Sequence, residues 1–374
     1  MREYLLVLLV AAGITYLLSN LCRRLAFRFN AVAMVRDRDV HTKPIPYFGG
    51  ISMCLGLASA FLVSQQLPWL GGFESVRHDA QGILLAGALI CAVGVVDDFL
   101  ELNAIAKIAG QLLAAGVVVM NGVKVYWIPL PDAIVSLDEG ASIALTVVLI
   151  FLAVNAINLI DGLDGLAAGV VAIGSGAFFL YAYLLSYEHE LVRATTASLV
   201  TVATLGICLG FLPYNIHPAR MFMGDSGAML LGFLMATSVI SLTGQIDPAA
   251  LETSGWGVAA AYLPVLLPVA VLGLPLLDLV MAYVRRTMRG QLWYHADKQH
   301  LHHRMLNLGH SHFQAVALLW LWSALAAFGV VAIVLYPSAL SIALVAAGVI
   351  VAAFLTWGRP LLARRGARAG AGRG

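Results

Sequence analysis

Apolar stretches long enough to cross a lipid bilayer recur along the whole chain, and they constrain its fold more than any other feature. A transmembrane helix needs about 20 apolar residues, with a range of about 17–25. Such stretches lie near residues 3–20, 49–65, 80–97, 105–121, 141–158, 165–185, 194–212, 226–243, 257–284, 314–335 and 338–357. The composition agrees, since 61% of the 374 residues are hydrophobic and only 11% are charged. The sequence therefore predicts an all-α, polytopic membrane protein with about eleven transmembrane helices.

The positions of lysine and arginine predict how these helices are oriented. Positive charge concentrates on the cytoplasmic side of membrane proteins. If the loop after the first helix is cytoplasmic, 18 of the 22 Lys and Arg residues lie inside, and the exceptions are Arg2, Arg77, Lys124 and Arg193. We therefore expect an N-out, C-in topology. Residues 1–358 would form a single transmembrane domain, and residues 359–374 a basic, disordered cytoplasmic tail close to anionic lipid.

The segment "NAINLIDGLDG", residues 155–165, ends one apolar stretch with a polar side chain at every third position: Asn155, Asn158, Asp161 and Asp164. An aspartate inside a membrane span costs about 2.5–3.5 kcal/mol on insertion scales, so such residues are rare and usually functional. A regular helix would not hold the four side chains on one face. Gly162 and Gly165, however, allow the helix to loosen and the carboxylates to approach one cavity. A polar helix end that only reaches water is the simpler alternative.

Two further acidic motifs lie on the same predicted side of the membrane. "DDFLELNAIAK" places Asp97 and Asp98 at the end of the third span and Lys107 at the start of the fourth, which suits a site for divalent metal and phosphate. "MFMGDSG" places Asp225 between glycines before the eighth span, where a carboxylate and a helix N-terminus can approach a metal and a phosphate. The alternatives are a charge pair at a helix end for the first motif and a helix-capping aspartate for the second.

Two basic segments complete the polar residues on this side. The motif "ADKQHLHHRM" has no cysteine partners for zinc and favours phosphate binding through His300, His302, His303 and Arg304. A solvated surface loop is the alternative there. His41 and Lys43 precede the turn "PIPYFGG", although their charge also serves the topology signal. Three other histidines are expected to be peripheral: His295, His310 and His312.

Acids, a lysine, a metal-type aspartate and a His/Arg loop on one face suit phosphoryl transfer, in which positioning and charge neutralisation do most of the chemistry. Because this face lies at the membrane surface, a lipid phosphate is the expected substrate. An ion-coupled transporter also uses intramembrane acids and broken helices, and it is the alternative outside the enzyme class. The acids, however, lie near one face and not at mid-depth.

Five ordered motifs between about residues 36 and 312 resemble those of the polyprenyl-phosphate N-acetylhexosamine-1-phosphate transferases, the superfamily of MraY, WecA and TagO. The motifs are "HTKPIPYFGG", "VVDDFLELNAIAK", "NAINLIDGLDGLAAG", "FLPYNIHPARMFMGDSGAMLLG" and "DKQHLHHRMLNLGHSH". The last is similar to the WecA/TagO branch, and especially to actinobacterial members.

The resemblance implies that GlcNAc-1-phosphate, or a related HexNAc-1-phosphate, passes from a UDP-sugar to undecaprenyl or decaprenyl phosphate with release of UMP. This would be the first membrane step of a cell-envelope glycan. An MraY-like phospho-MurNAc-pentapeptide transferase is the alternative within the superfamily.

The resemblance also implies roles for individual residues. Asp97 and Asp98 would deprotonate or orient the lipid phosphate beside Lys107. Asp225 and Asn158 would hold Mg²⁺, with Mn²⁺ as the alternative ion. The remaining site residues would be Asp161 and Asp164 as catalytic residues at the nucleotide end, and, as substrate contacts, His41, Lys43, Asn155, Asn215, Phe222, His300, His302, His303 and Arg304.

The partners implied by the family are a UDP-sugar, a polyprenyl phosphate and the bilayer, without nucleic acid, and relatives are often homodimers. The location implied is the bacterial plasma membrane, with the active site facing the cytoplasm. In the family the ninth span is broken and borders a lipid groove, which suits the three prolines between residues 257 and 284.

Overall fold

A computed structural model describes residues 1–29, 31–33, 44–130, 133–188, 192–243, 305–306 and 308–358, together with scattered positions between 266 and 288. The described residues are mostly helical. Their α-helices, numbered along the chain, are α1 Arg2–Arg28, α2 Gly49–Ser64, α3 Glu74–Leu100, α4 Ala104–Met120, α5 Glu139–Ile160, α6 Leu166–Glu188, α7 Val192–Asn215, α8 Gly224–Thr243, α9 His312–Leu335 and α10 Ala339–Ala353. A 3₁₀ turn, Leu70–Gly72, precedes α3, and a π-helical turn, Phe354–Gly358, follows α10.

Eight of these helices are long and apolar enough to cross a membrane, and α2 and α4 are shorter apolar helices. Ten of the eleven predicted spans coincide with helices in the described part of the chain. The ninth predicted span, residues 257–284, lies largely outside the described residues, as does the predicted tail, 359–374. The protein is therefore an all-α, multi-pass membrane protein, as the hydropathy pattern predicts.

Helix α8 lies at the centre of the bundle, and it packs against α2, α3, α5 and α7. Its side chains are almost all buried, whereas most of α10 is exposed at the edge of the protein. A membrane helix that is apolar on every side and surrounded by other helices contacts protein instead of lipid. The start of α8 is therefore held firmly among the ends of its neighbours, and the acidic motifs meet there.

Helix α5 ends at Ile160, and a short turn leads directly into α6 at Leu166. Gly165 closes this turn with φ of 78°, a conformation that costs other residues free energy. The prediction that glycines loosen the helix here is confirmed, and the break is complete, because the helix stops. As a result the carboxylates of Asp161 and Asp164 lie on a turn and not on a regular helix face.

Two short antiparallel strand pairs lie in the loops. Strand β1 (Val32–Ala33) pairs with β2 (Ile45–Pro46), and β3 (Trp127–Leu130) forms a hairpin with β4 (Ala133–Ser136). The first pair is tied to the segment before α8, since Phe222 N–H donates to the Pro46 carbonyl at 2.9 Å. The second pair is the hairpin expected around "KVYWIPLP", on the predicted outer side.

Candidate active site

The end of α3 and the start of α4 bring a carboxylate and a lysine together. Asp97 is 7% exposed, and its Oδ2 lies 2.7 Å from Lys107 Nζ. Its Oδ1 accepts the Leu102 N–H at 2.8 Å. Asn103 caps α4 by accepting the Ala106 N–H at 2.9 Å, which fixes the first turn that carries Lys107.

Lys107 also reaches the start of α8. Its Nζ lies 2.7 Å from Asp225 Oδ2, the same distance as from Asp97. One ammonium group therefore joins two carboxylates that lie 128 residues apart in the sequence. The Asn158 side chain interacts with the Asp225 carboxylate from α5. Three predicted site residues from three helices thus lie around the Asp225 carboxylate: Asp97 of α3, Lys107 of α4 and Asn158 of α5.

Asp98 has a different environment from Asp97, although the two residues are adjacent. Its Oδ1 accepts the Asp225 N–H at 2.7 Å, and its Oδ2 accepts from Ser226 Oγ at 3.0 Å and Ser226 N–H at 3.3 Å. The N–H groups of Asp225 and Ser226 lie at the start of α8, where backbone N–H groups need an acceptor from outside the helix. Asp98 therefore caps α8 from a neighbouring helix, a role that the sequence did not suggest.

Asp161 lies where the turn after α5 faces the other carboxylates. Removal from water raises the pKa of Asp161 well above its usual range, and the negative charges of Asp225, Asp98 and Asp164 raise it further. No cation is paired with Asp161 among the described residues. Burial and the neighbouring carboxylates thus both disfavour the charged form of Asp161.

Asp164 points to the segment between α7 and α8. Its Oδ2 lies 2.7 Å from His217 Nδ1 and accepts the Ala219 N–H at 3.1 Å. Asn215 strengthens the same connection, because its Oδ1 accepts the Gly165 N–H at 3.1 Å and its Nδ2 donates to the Met221 carbonyl at 3.2 Å. The turn after α5 and the segment after α7 therefore form one connected unit.

Two histidines in this region received no role from the sequence. His217 pairs with Asp164, and its ring stacks on that of His312 with centroids 4.1 Å apart. The prediction that His312 is peripheral is wrong, since its ring lies beside Asp164. His310, in contrast, contacts the Thr356 carbonyl at 3.0 Å and lies outside this cluster. Long-range contacts of this kind leave no periodic signal in a sequence, although His217 does lie inside one of the quoted motifs.

Only some of the residues predicted to contact substrate lie in the described part of the chain. Asn155 uses its amide internally, donating to Gln111 Oε1 at 2.9 Å and to the Phe151 carbonyl at 2.8 Å. Phe222 is partly exposed, and its ring lies 6.4 Å from that of Tyr47. Contacts of Asn155, Asn215 and Phe222 with a substrate stay predictions. The remaining predicted substrate residues lie outside the described residues: His41, Lys43, His300, His302, His303 and Arg304.

The donor atoms of the cluster suit a hard divalent cation. Of the carboxylates in this cluster, Asp97 and Asp225 pair with Lys107. Asp98 contacts the start of α8, and Asp161 lies close enough to Asp98 and Asp225 to be affected by their charges. Mg²⁺ prefers carboxylate and carbonyl oxygens and keeps several water or phosphate ligands. The excess of negative charge and the oxygen donors at Asp225 and Asn158 therefore fit Mg²⁺.

Fold and site together define a multi-pass membrane protein with a cluster of carboxylates and one lysine where the ends of four helices meet: α3, α4, α5 and α8. A protein-family model described as "Glycosyl transferase family 4" matches residues 80–243, the part of the chain that carries Asp97, Lys107, Asp161 and Asp225. The chain belongs to this family.

Three relatives illustrate the range of the family. A decaprenyl-phosphate N-acetylglucosaminephosphotransferase of Mycobacterium leprae is 42% identical over 98% of this chain and 92% of its own length. A probable undecaprenyl-phosphate N-acetylglucosaminyl 1-phosphate transferase of Bacillus subtilis is 34% identical over 82% of this chain and 78% of its own. A phospho-N-acetylmuramoyl-pentapeptide-transferase of Desulforudis audaxviator is 33% identical, over 62% of this chain and 76% of its own. The resemblance to the WecA/TagO branch and to actinobacterial members is confirmed.

Proposed function

We propose that the protein transfers GlcNAc-1-phosphate from UDP-GlcNAc to a polyprenyl phosphate, with decaprenyl phosphate as the first acceptor to test. An oxygen of the lipid phosphate attacks the β-phosphorus of the donor, the bond between that phosphorus and the bridging oxygen breaks, and UMP leaves. The product is polyprenyl-diphospho-GlcNAc. The observation that carries this proposal is the Lys107 ammonium, held between Asp97 and Asp225 at 2.7 Å from each.

This arrangement suits the approach of two anionic substrates. Attack by one phosphate on another requires that their charges be neutralised, and fixed cations beside carboxylates do this without reorganisation. Lys107 is positioned to interact with the lipid phosphate, and Asp97 holds it in place. Asp225 and Asn158 would hold Mg²⁺, which when bound neutralises the donor diphosphate. Asp161 and Asp164 would line the nucleotide end, with Phe222 against the base.

The site would face the cytoplasm of the bacterial plasma membrane. The distribution of Lys and Arg supports this orientation, because the predicted inner loops carry most of both residues. UDP-sugars are cytoplasmic metabolites, so a donor site on this side would have direct access to its substrate.

The test is UMP release by the purified chain in detergent with Mg²⁺ and decaprenyl phosphate. UDP-GlcNAc and UDP-MurNAc-pentapeptide are offered in parallel. We expect release with UDP-GlcNAc only, dependence on both the lipid and Mg²⁺, and loss of release in Asp225→Ala. Release with the pentapeptide donor alone would favour the MraY-like alternative. Absence of release with either donor, from folded protein, would contradict the proposal.

A further inference from the structure

A second polar contact between α4 and α8 lies one helical turn deeper than the pair of Lys107 and Asp225. Residues four apart share a helix face. Gln111 therefore lies on the face of α4 that carries Lys107, and Met229 lies on the face of α8 that carries Asp225. Gln111 is 1% exposed, and its Nε2 donates to Met229 Sδ at 3.5 Å. The contact between the two helices is thus repeated below the ion pair.

Gln111 also joins α4 to α5. Its Oε1 accepts from Asn155 Nδ2 at 2.9 Å, and the same Nδ2 donates to the Phe151 carbonyl at 2.8 Å. One buried amide therefore bonds to two helices other than its own. Because a buried amide in a membrane protein has no bulk water as an alternative partner, such bonds favour one arrangement of the helices over others.

A further side of α4 is fixed by close packing on α3. A Cβ added to Gly110 would lie 2.6 Å from Cγ1 of Val93, so the two helices approach closely at this point. Successive residues of a helix point roughly 100° apart. Contact of Gly110 with α3 therefore turns Gln111 away from α3, and the amide bonds hold it against α5 and α8. Two adjacent residues together set the orientation of α4 about its axis.

We propose that Gln111 is a positioning residue for Lys107 in the phosphoryl transfer, an inference that rests on the proposed function. A lysine ammonium is a point charge on a flexible four-carbon stem. It stays between Asp97 and Asp225 only if its helix presents it from one direction. Gln111 fixes that direction, because rotation of α4 breaks the amide bonds to α5 and α8. Gln111 thus acts on the reaction through Lys107.

The first test is a double-mutant cycle on UMP release with UDP-GlcNAc, decaprenyl phosphate and Mg²⁺. Gln111→Leu removes both hydrogen bonds and keeps a side chain of similar size. We expect it to lower kcat/KM roughly 10- to 100-fold, since small misplacements of a group at the reacting centre have effects of this order. In a Lys107→Met background the same substitution should have no further effect, because no ammonium is left to position. Equal factors in the two backgrounds would indicate a purely structural role and overturn the inference.

Asn121→Ala is the matched control. Asn121 lies at the other end of α4, and its Nδ2 donates to the Val117 carbonyl of the same helix at 2.8 Å. The variant loses an amide hydrogen bond of α4 but leaves the contacts of Gln111 in place. We expect near wild-type UMP release from it. A loss as large as that of Gln111→Leu would show that any weakening of α4 reduces activity, and the positioning role would be wrong.

A second readout does not depend on the proposed function. Two carboxylates hold the Lys107 ammonium, and they compete with an amine-acylating reagent for it. We expect this reagent to modify Lys107 several-fold faster in Gln111→Leu than in the wild type, measured by peptide mass spectrometry. Lys124 is the reference in the same sample, because it pairs with Glu139 and lies away from Gln111.

The two readouts separate failure of the inference from failure of the proposed function. If the wild type releases no UMP, the proposed function fails, and the modification rate of Lys107 still reports whether Gln111 positions it. If the wild type releases UMP and Gln111→Leu matches it, the inference alone is wrong. An unchanged modification rate of Lys107 in Gln111→Leu would overturn the inference in either case.

Discussion

The Asp98 carboxylate accepts the backbone N–H of Asp225 at 2.7 Å, and this bond joins the end of α3 to the first turn of α8. The two residues are 127 positions apart in the sequence. Asp98 therefore determines where Asp225 lies relative to Lys107. Adjacent acids in one motif thus have separate tasks, since Asp97 holds the lysine and Asp98 holds the helix that carries Asp225.

Substitution of Asp98 by Asn should reduce stability as well as activity. In the variant, one carboxylate oxygen becomes an NH₂ group, which cannot accept a hydrogen bond from the N–H groups of α8. The charge-assisted cap, worth about 1–3 kcal/mol, is therefore lost. We expect a lower unfolding temperature, measured by a thermal shift assay in detergent. Ser226→Ala removes one of the three hydrogen bonds and should lower it less. An unchanged unfolding temperature in Asp98→Asn, with activity abolished, would assign Asp98 to chemistry and contradict the capping role.

Substitution of Lys107 by Met should reduce kcat/KM for UMP release roughly 100-fold or more, which corresponds to about 2.7 kcal/mol of transition-state stabilisation. The change leaves Asp97 and Asp225 facing each other without the cation between them. The measurement is initial rates at saturating lipid.

Lys124→Met is the matched control for Lys107. Lys124 also pairs with a carboxylate, Glu139 at 3.4 Å, but lies between α4 and α5 at the predicted outer side. We expect near wild-type rates from it. Equal losses in the two variants would show that the effect comes from general destabilisation and not from the site.

The helices could be predicted from sequence because their signal is local. Each apolar stretch reports its own helix, and ten of them are helices in the described residues. The break after Ile160 was also predictable, because Gly162 and Gly165 follow directly. These features depend on neighbours in the chain and not on distant partners.

The partners of individual side chains could not be predicted in the same way. The contact of Asp164 with His217 spans 53 residues, and no periodicity connects the two positions. Asp97 and Asp98 are predicted from the sequence to share one role, whereas their carboxylates have different partners. The amides of Asn155 and Asn215 bond to other protein groups, which no local pattern indicates, and the predicted contacts of both residues with a substrate stay predictions. Only tertiary structure supplies this information.

Substitution of Gly224 by Ala should abolish activity. Gly224 has φ of 68°, which costs other residues about 1–2 kcal/mol, and a Cβ at this position would overlap the Asp98 carboxylate. The cap of α8 would have to move, and Asp225 would move with it. Gly122→Ala is the control, because Gly122 has a similar φ of 79° but open space around the added Cβ. It should cost stability only, and similar UMP release by the two variants would contradict the overlap argument.

The pH dependence of stability should reveal Asp161 in protein freed of metal by EDTA. Its pKa is raised in the folded state, first by removal from water and then by the neighbouring carboxylates. The folded protein therefore holds this proton more tightly than the unfolded chain, in which the pKa is about 3.9. The resulting stability is fully present below that value and is lost as the pH rises through the folded pKa. We expect the unfolding temperature to fall over this window in the wild type and to fall less in Asp161→Asn.

Mg²⁺ supplies the second half of this test. If the carboxylate cluster binds the ion, Mg²⁺ should restore the unfolding temperature of the wild type at high pH, because the bound cation offsets the repulsion that deprotonation of Asp161 creates. Asp225→Asn should abolish this recovery, since that carboxylate is the proposed ligand. Ca²⁺ and Na⁺ at equal ionic strength separate specific binding from screening. Equal recovery with Na⁺ would show that screening alone accounts for the effect, and the magnesium assignment would then fail.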